Sequence, residues 1–227
     1  MKRKEWGRRQ FLAGTGAALA VFAAASGHSP ARAQSPTGKS DPARIRKLLR
    51  EMEAQGPRYW SVPREDGEFL HLLVRATQAR SVLEVGTSHG YSAVWIGLAL
   101  EETGGRLISI EIEKERHELA RKHVEQAGLS ARVALIRGNA HDEVGRLDGP
   151  FEFVFLDADK GDELDYFKKL YPGKLAPGAV LAVHNAISAA GSMKAYLDTI
   201  RKHADFDTVT LSVTMQDGFC LSCRRRK

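Results

Sequence analysis

Two carboxylates and a lysine stand together at Asp157-Ala158-Asp159-Lys160, directly after an apolar run from Phe151 to Leu156. Charged groups at the end of a buried segment cost free energy unless they have partners or a task. Carboxylate oxygens suit hard cations such as Mg²⁺. A divalent ion at Asp157 lowers the pKa of a substrate hydroxyl and aligns its oxygen for attack. A lysine beside it can accept the released proton, where burial and a neighbouring cation make the neutral amine accessible. A second pair, His184-Asn185, closes the next apolar run, Ala179 to Val183. Both side chains can coordinate a metal or hydrogen-bond a substrate. A lone histidine at such a place is more often solvated, and its position opposite Asp157 is what favours a functional role.

A third group of residues lies upstream. The segment Glu84-Val85-Gly86-Thr87-Ser88-His89-Gly90 leads into Tyr91-Ser92. Its glycines allow a sharp turn and a close approach of backbone to ligand. Gly86 and Gly90 are spaced differently from the glycines of a pyrophosphate-binding dinucleotide loop. An acid, Glu84, sits just before the turn. The following apolar run ends in Ile110-Glu111, where a carboxylate is placed to hold two ribose hydroxyls. A nucleoside cofactor without phosphate fits this set. S-adenosylmethionine, a sulfonium cation with a free amino group, suits Glu84 better than NAD does. The alternative is that Glu84 and Glu111 are solvated strand-end acids.

These residues need a scaffold that brings strand ends together. Short apolar runs at 81–85, 106–112, 132–136, 151–156 and 179–183 read as strands, buried on both faces. Helical spacing separates them at 91–100, 114–126, 142–147, 163–170 and 193–203, and two further helices, 45–54 and 69–77, come first. Strands at 206–213 and 218–222 close the chain with no helix between them. The expected fold is α/β: a doubly wound, mostly parallel, seven-stranded sheet with an antiparallel edge pair at the C-terminus. In such sheets ligands bind outside the carboxyl ends of the strands, where every group named above falls.

The chain has 227 residues and a net charge of +6. Lys2, Arg3, Lys4, Arg8, Arg9 and Arg32 fall within residues 1–33 against one acid, Glu5, so nearly all the excess lies there. The remaining body is almost neutral and lacks the electrostatic footprint of a nucleic-acid binder. The Arg8-Arg9-Gln10-Phe11-Leu12 sequence, a weakly apolar run from Ala13 to Ala25 and the Ala31-Arg32-Ala33 site resemble a bacterial twin-arginine signal peptide. Residues 1–33 are therefore expected to direct export to the periplasm or another extracytoplasmic space, 34–40 to form a flexible lead-in, and 41–227 the domain. No apolar run reaches the length of a stable membrane span. Cys220 and Cys223 lie three apart in a strand, facing opposite sides, and are expected to be free thiols. The Arg224 to Lys227 tail reads as a solvated end.

From about Gly67 to Gly218 the chain resembles the cation-dependent small-molecule O-methyltransferases, the group of catechol and caffeoyl-CoA O-methyltransferases. The resemblance rests on Leu83-Glu84-Val85-Gly86-Thr87 with Gly90-Tyr91-Ser92, Ile110-Glu111, Gly138-Asn139-Ala140, Phe155 to Lys160, Leu175-Ala176-Pro177-Gly178 and Asp217-Gly218. It implies that Glu84, Gly86, Ser88, Tyr91 and Ser92 line the methionine end of S-adenosylmethionine. Glu111 would hold the ribose, and Asn139, Ala140 and His141 would border the adenine. Asp157 would be a metal ligand that also touches the cofactor, Asn185 a second ligand, and Lys160 the proton acceptor. The substrate class is a small hydroxylated, catechol-like molecule, and the assembly a homodimer. The chain departs from the family pattern at His184, where an aspartate is usual, at Asn139 in place of a common aspartate, and at Glu163 in place of a tyrosine. Histidine shifts the preference of the Asp157, His184 and Asn185 set from Mg²⁺ toward Mn²⁺, Zn²⁺ or Fe²⁺, or acts as a base without metal. Two other readings stay open: a non-catalytic exported ligand-binding protein derived from a methyltransferase, and an NAD-dependent oxidoreductase, which the glycine spacing disfavours.

Overall fold

The computed structural model describes residues 41–212 and 217–226. The expected export segment 1–33 and lead-in 34–40 lie outside the described residues. Helix α1 (Pro42–Glu53) starts where Asp41 caps it, its carboxylate accepting from the Ala43 amide at 3.0 Å, with Pro42 in the first turn. Ile45, Leu48, Leu49 and Met52 form its buried face. A short turn, α2 (Gly56–Tyr59), follows, and α3 spans Arg64–Thr77. The remaining elements are β1 (Ser81–Val85), α4 (Tyr91–Thr103), β2 (Arg106–Glu111), α5 (Lys114–Ala127), β3 (Val133–Arg137), α6 (Ala140–Arg146), β4 (Phe151–Leu156), α7 (Glu163–Leu170), β5 (Leu175–His184), α8 (Lys194–Arg201), β6 (Phe206–Leu211) and β7 (Phe219–Arg224).

The seven strands form one sheet in the order β3-β2-β1-β4-β5-β7-β6. Pairing is parallel from β3 through β5, and β7 runs antiparallel to both neighbours. The winding reverses between β1 and β4, which opens a crevice at their carboxyl ends. Alternation along each strand sorts the apolar residues into two layers. Val82, Leu107, Phe153, Phe155 and Phe219 face α1, α3, α4 and α5. Leu83, Ile110, Val154, Leu156 and Val183 face α6, α7 and α8. Fully burying one such side chain contributes about 1.5–3 kcal/mol, so the strand ends that carry the polar residues rest on a well-anchored base.

Several limits differ from the sequence expectation. Helix α3 begins at Arg64, five residues before Phe69, because Pro63 precedes a polar first turn containing Glu65 and Asp66. Strand β5 begins at Leu175 rather than Ala179, with a register shift against β4 between Phe151 and Phe153. The C-terminal antiparallel pair is present, but β7 lies inside the sheet and only β6 is the edge. The tail is not simply solvated. Arg224 belongs to β7, donates to the carbonyls of Pro172 and Leu175, and stacks over Tyr171, while Arg225 pairs with Asp207. Cys220 is buried, Cys223 is exposed, and both are free, as opposite faces of a strand require. Among the described residues no helix is long and apolar enough to cross a membrane.

Candidate active site

A cavity of about 740 Å³ opens at the carboxyl ends of β1, β2, β4 and β5, within the range of small-molecule and cofactor sites. Gly86, Ser88, Tyr91, Ser92, Glu111, Asn139, Ala140, His141, Asp157, Lys160, His184 and Asn185 all line it. Of the residues singled out from sequence, Glu84 alone is not on the wall. It is fully buried one layer behind, with one oxygen accepting from Ser109 and the other without a hydrogen-bond partner among the described residues. Burial drives its carboxyl up to about 7, more than the Ser109 hydroxyl draws it down.

The loop after β1 is pinned on both sides. Gly86 and Thr87 donate their amides to Ile110 O at 3.0 and 3.1 Å, and Asp157 donates its amide to Val85 O at 2.9 Å. Ser88, with φ of 50°, turns its amide onto Glu111 Oε2 at 2.6 Å. The amide of Glu113 reaches Glu111 Oε1 at 2.8 Å. Two backbone donors thus fix the Glu111 carboxylate at the cavity wall, and each oxygen keeps a lone pair for a ligand hydroxyl. The Tyr91 hydroxyl turns away and donates to Glu53 Oε1 at 2.6 Å, leaving its ring to the cavity. Asn139 caps α6 by accepting from the His141 amide at 2.9 Å, so its NH₂ is the group left for a ligand. His141 is tied to Asp165 Oδ2 at 2.6 Å and to Asp162 Oδ2 at 3.1 Å, and Asp165 foremost raises its pKa. Trp60, exposed with Arg116 over its face, and Ile112 wall the cavity beside Glu111.

At the other end Lys160 Nζ meets Asp157 Oδ1 at 2.7 Å. The same oxygen lies 3.2 Å from His184 Nδ1, and His184 Nε2 lies 2.9 Å from Asp66 Oδ2. Burial works against charge on both sides of this chain. The cations beside Asp157 nevertheless hold its carboxyl below the usual range, and Asp157 and Asp66 push His184 up to about 9. Asn185, with φ of 58°, donates from its side-chain Nδ2 to Asp217 Oδ1 at 3.0 Å. The sequence carries no functional signal at Asp66, which stands in an acidic first turn directly after Pro63, an ordinary helix start.

Of the expected metal set of Asp157, His184 and Asn185, His184 does not fit a divalent ion in this arrangement. A ligand must offer a lone pair. Both ring nitrogens of His184 face carboxylates, so it offers no lone pair, whereas Asn185 donates only from Nδ2 and Asp157 uses only Oδ1 toward its two donors. Among the described residues no group of three or more His, Cys, Asp or Glu is arranged to hold a metal.

A family model described as O-methyltransferase matches residues 37–218. The chain is 33% identical over 201 residues to a catechol O-methyltransferase of Mycobacterium tuberculosis, covering 82% of this chain and 90% of that one. It is 32% identical over 133 residues to caffeoyl-CoA O-methyltransferase 2 of Petunia hybrida, about half of each chain, 55% and 54%. Among solved structures, an O-methyltransferase of Streptomyces achromogenes involved in tomaymycin synthesis, in complex with S-adenosylmethionine, is similar with a TM-score of 0.70 at 30% identity, covering 84% and 93%. An O-methyltransferase of Bacillus cereus in complex with S-adenosylhomocysteine gives a TM-score of 0.72 at 26% identity, covering 82% and 92%.

Proposed function

The chain belongs to the O-methyltransferase family, and from that premise we propose that it moves a methyl group from S-adenosylmethionine to a hydroxyl oxygen of a small, catechol-like molecule. One observation carries this reading. A single cavity joins a carboxylate fixed by two backbone amides, Glu111, to the Asp157–Lys160 ion pair. When bound, S-adenosylmethionine supplies an electrophilic methyl group on a sulfonium centre. Glu111 accepts from the ribose hydroxyls. Asn139 and the first turn of α6 border the base. The buried Glu84 lies beneath the methionine end, where a bound sulfonium cation favours its ionised form. Asp157 and Lys160 receive the acceptor hydroxyl; Lys160, having released its own proton to solvent as the acceptor enters, takes the hydroxyl proton on Nζ as the oxygen–methyl bond forms. The pair of electrons from the broken carbon–sulfur bond stays on sulfur. The signal read in residues 1–33 would place this reaction outside the cytoplasm, and the family resemblance suggests a homodimer.

The test is transfer of labelled methyl from S-adenosylmethionine to a panel of catechols by the full chain. Product supports the reading, and cofactor binding with no transfer to any hydroxylated acceptor would favour the binding-protein alternative. Glu111→Gln keeps the side-chain shape but removes the charge and one acceptor. Calorimetric titration is expected to show cofactor affinity weakened by about 1–3 kcal/mol, roughly 5- to 150-fold in Kd. Unchanged affinity would remove Glu111 from the ribose site.

A further inference from the structure

We propose that His184, clamped between Asp66 and Asp157, stands in the place of a divalent cation, and that this site works without one. Two carboxylates face the two nitrogens of one imidazole, at 2.9 Å and 3.2 Å. A carboxylate accepts and does not donate, so each nitrogen carries hydrogen toward its partner. A nitrogen that donates has no lone pair for a metal. His184 is therefore a cross-link between α3 and the end of β4, not a ligand.

The surroundings hold that role in place. The side chains of His184 and Asp66 are 5% and 3% exposed. The His184 ring centroid lies 5.0 Å from that of Phe219 and 6.4 Å from that of Phe155. Turning the ring to face a metal would break both carboxylate contacts, which is costly at a buried site. Charge points the same way. The Asp66 and Asp157 carboxylates are matched by Lys160 and the doubly hydrogen-bonded His184, so a dication would enter a buried site already balanced. The function left to His184 is positioning. It holds Asp157 Oδ1 toward Lys160 and leaves the other oxygen of Asp157 for the acceptor hydroxyl.

The transfer part of this inference rests on the reading of the chain as a methyltransferase, whereas its metal-binding part does not. The first arm is Mn²⁺ titration of metal-free full-length protein with S-adenosylmethionine present, free Mn²⁺ being read by electron paramagnetic resonance. No Mn²⁺ held at Asp157 is expected. One Mn²⁺ per chain, lost in Asp157→Asn, overturns the proposal. Mn²⁺ bound equally by Asp157→Asn lies elsewhere and leaves it standing. The second arm is transfer in excess EDTA, expected to change wild-type turnover by less than about twofold, whereas a metal-activated nucleophile would lose far more. Loss of about tenfold or more on chelation, restored by Mn²⁺, overturns it. The third arm is His184→Asp, which replaces the cross-link with a carboxylate. This variant is expected to bind Mn²⁺ at Asp157 and to become EDTA-sensitive, a gain that a merely structural histidine would not produce. A wild type with no transfer to any acceptor would count against the functional reading alone, and the Mn²⁺ titration would still decide this one.

Discussion

Lys160→Ala is expected to lower kcat by about 10²- to 10⁴-fold while leaving the Kd for S-adenosylmethionine within about twofold. Lys160 lines the cavity with its side chain 23% exposed and reaches Asp157 Oδ1 at 2.7 Å. In the proposed reading, recognition of the nucleoside falls to other residues, Glu111 and the first turn of α6. An alanine therefore removes the proton acceptor without touching the ribose contacts. Lys160→Arg separates two roles that the alanine merges. A guanidinium preserves the charge beside Asp157 but stays protonated in proteins, so it cannot accept a proton. The arginine variant is expected to be as inactive as the alanine variant in single-turnover transfer. Wild-type turnover in Lys160→Arg would show that Lys160 serves only as a charge. Loss of the ion pair also leaves Asp157 less compensated, at a cost of about 1–3 kcal/mol in stability. Melting temperatures measured on both variants keep that effect apart from catalysis.

The parts of this site that could be read from sequence are those that local patterns determine. Strands β1 and β4 and helix α7 have the limits expected of them, because each is a continuous apolar or periodic run bounded by residues that break it. The Asp157 to Lys160 turn and Glu111 follow directly from those strand ends. Asp66 was hidden for the opposite reason. The first turn of α3 is polar, so hydrophobic periodicity begins only at Phe69, five residues after the helix itself. Its contact with His184 spans 118 residues, and no local pattern reports such a distance. The family resemblance implies that Glu84 lines the methionine end of the cofactor. The two-residue alternation of β1 instead turns it to the same side as Val82, beneath the loop and against Ser109. The place of β7 inside the sheet depends on which edge of β5 remains free, which the hairpin pattern alone does not fix. The role of His184 follows the same logic. Its residue type was plain, but whether it ligates or cross-links depends on two carboxylates brought together by the fold.

Gly86→Ala is expected to lower stability by about 2–5 kcal/mol and to abolish measurable cofactor binding. Gly86 has φ of 96°, which costs an L-residue about 1–2 kcal/mol. A Cβ there would also lie 2.3 Å from the Asp157 carbonyl oxygen, 2.6 Å from its carbon and 2.9 Å from Ala158 N. These are backbone atoms and cannot swing aside, so overpacking adds about 1–3 kcal/mol. For a chain of this size each kcal/mol corresponds to roughly 2–4 °C in Tm. The site suffers more than its share, because the hydrogen bonds from Gly86 and Thr87 N to Ile110 O and from Asp157 N to Val85 O tie this turn to β2 and β4 together. Pushing Gly86 away from Asp157 moves the Ser88 amide off Glu111 at one end of the cavity and the Lys160 partner at the other. Gly104→Ala is the matched control. Gly104 has φ of 78°, but a Cβ there meets nothing within 4 Å. It is expected to lose only the backbone strain, about 1–2 kcal/mol, with cofactor affinity intact. If the two alanine variants lose equal stability and both bind cofactor, the contact between Gly86 and Asp157 is not what couples the cofactor loop to the reaction site. If only Gly86→Ala loses binding, that single backbone approach is the joint on which both halves of the site depend.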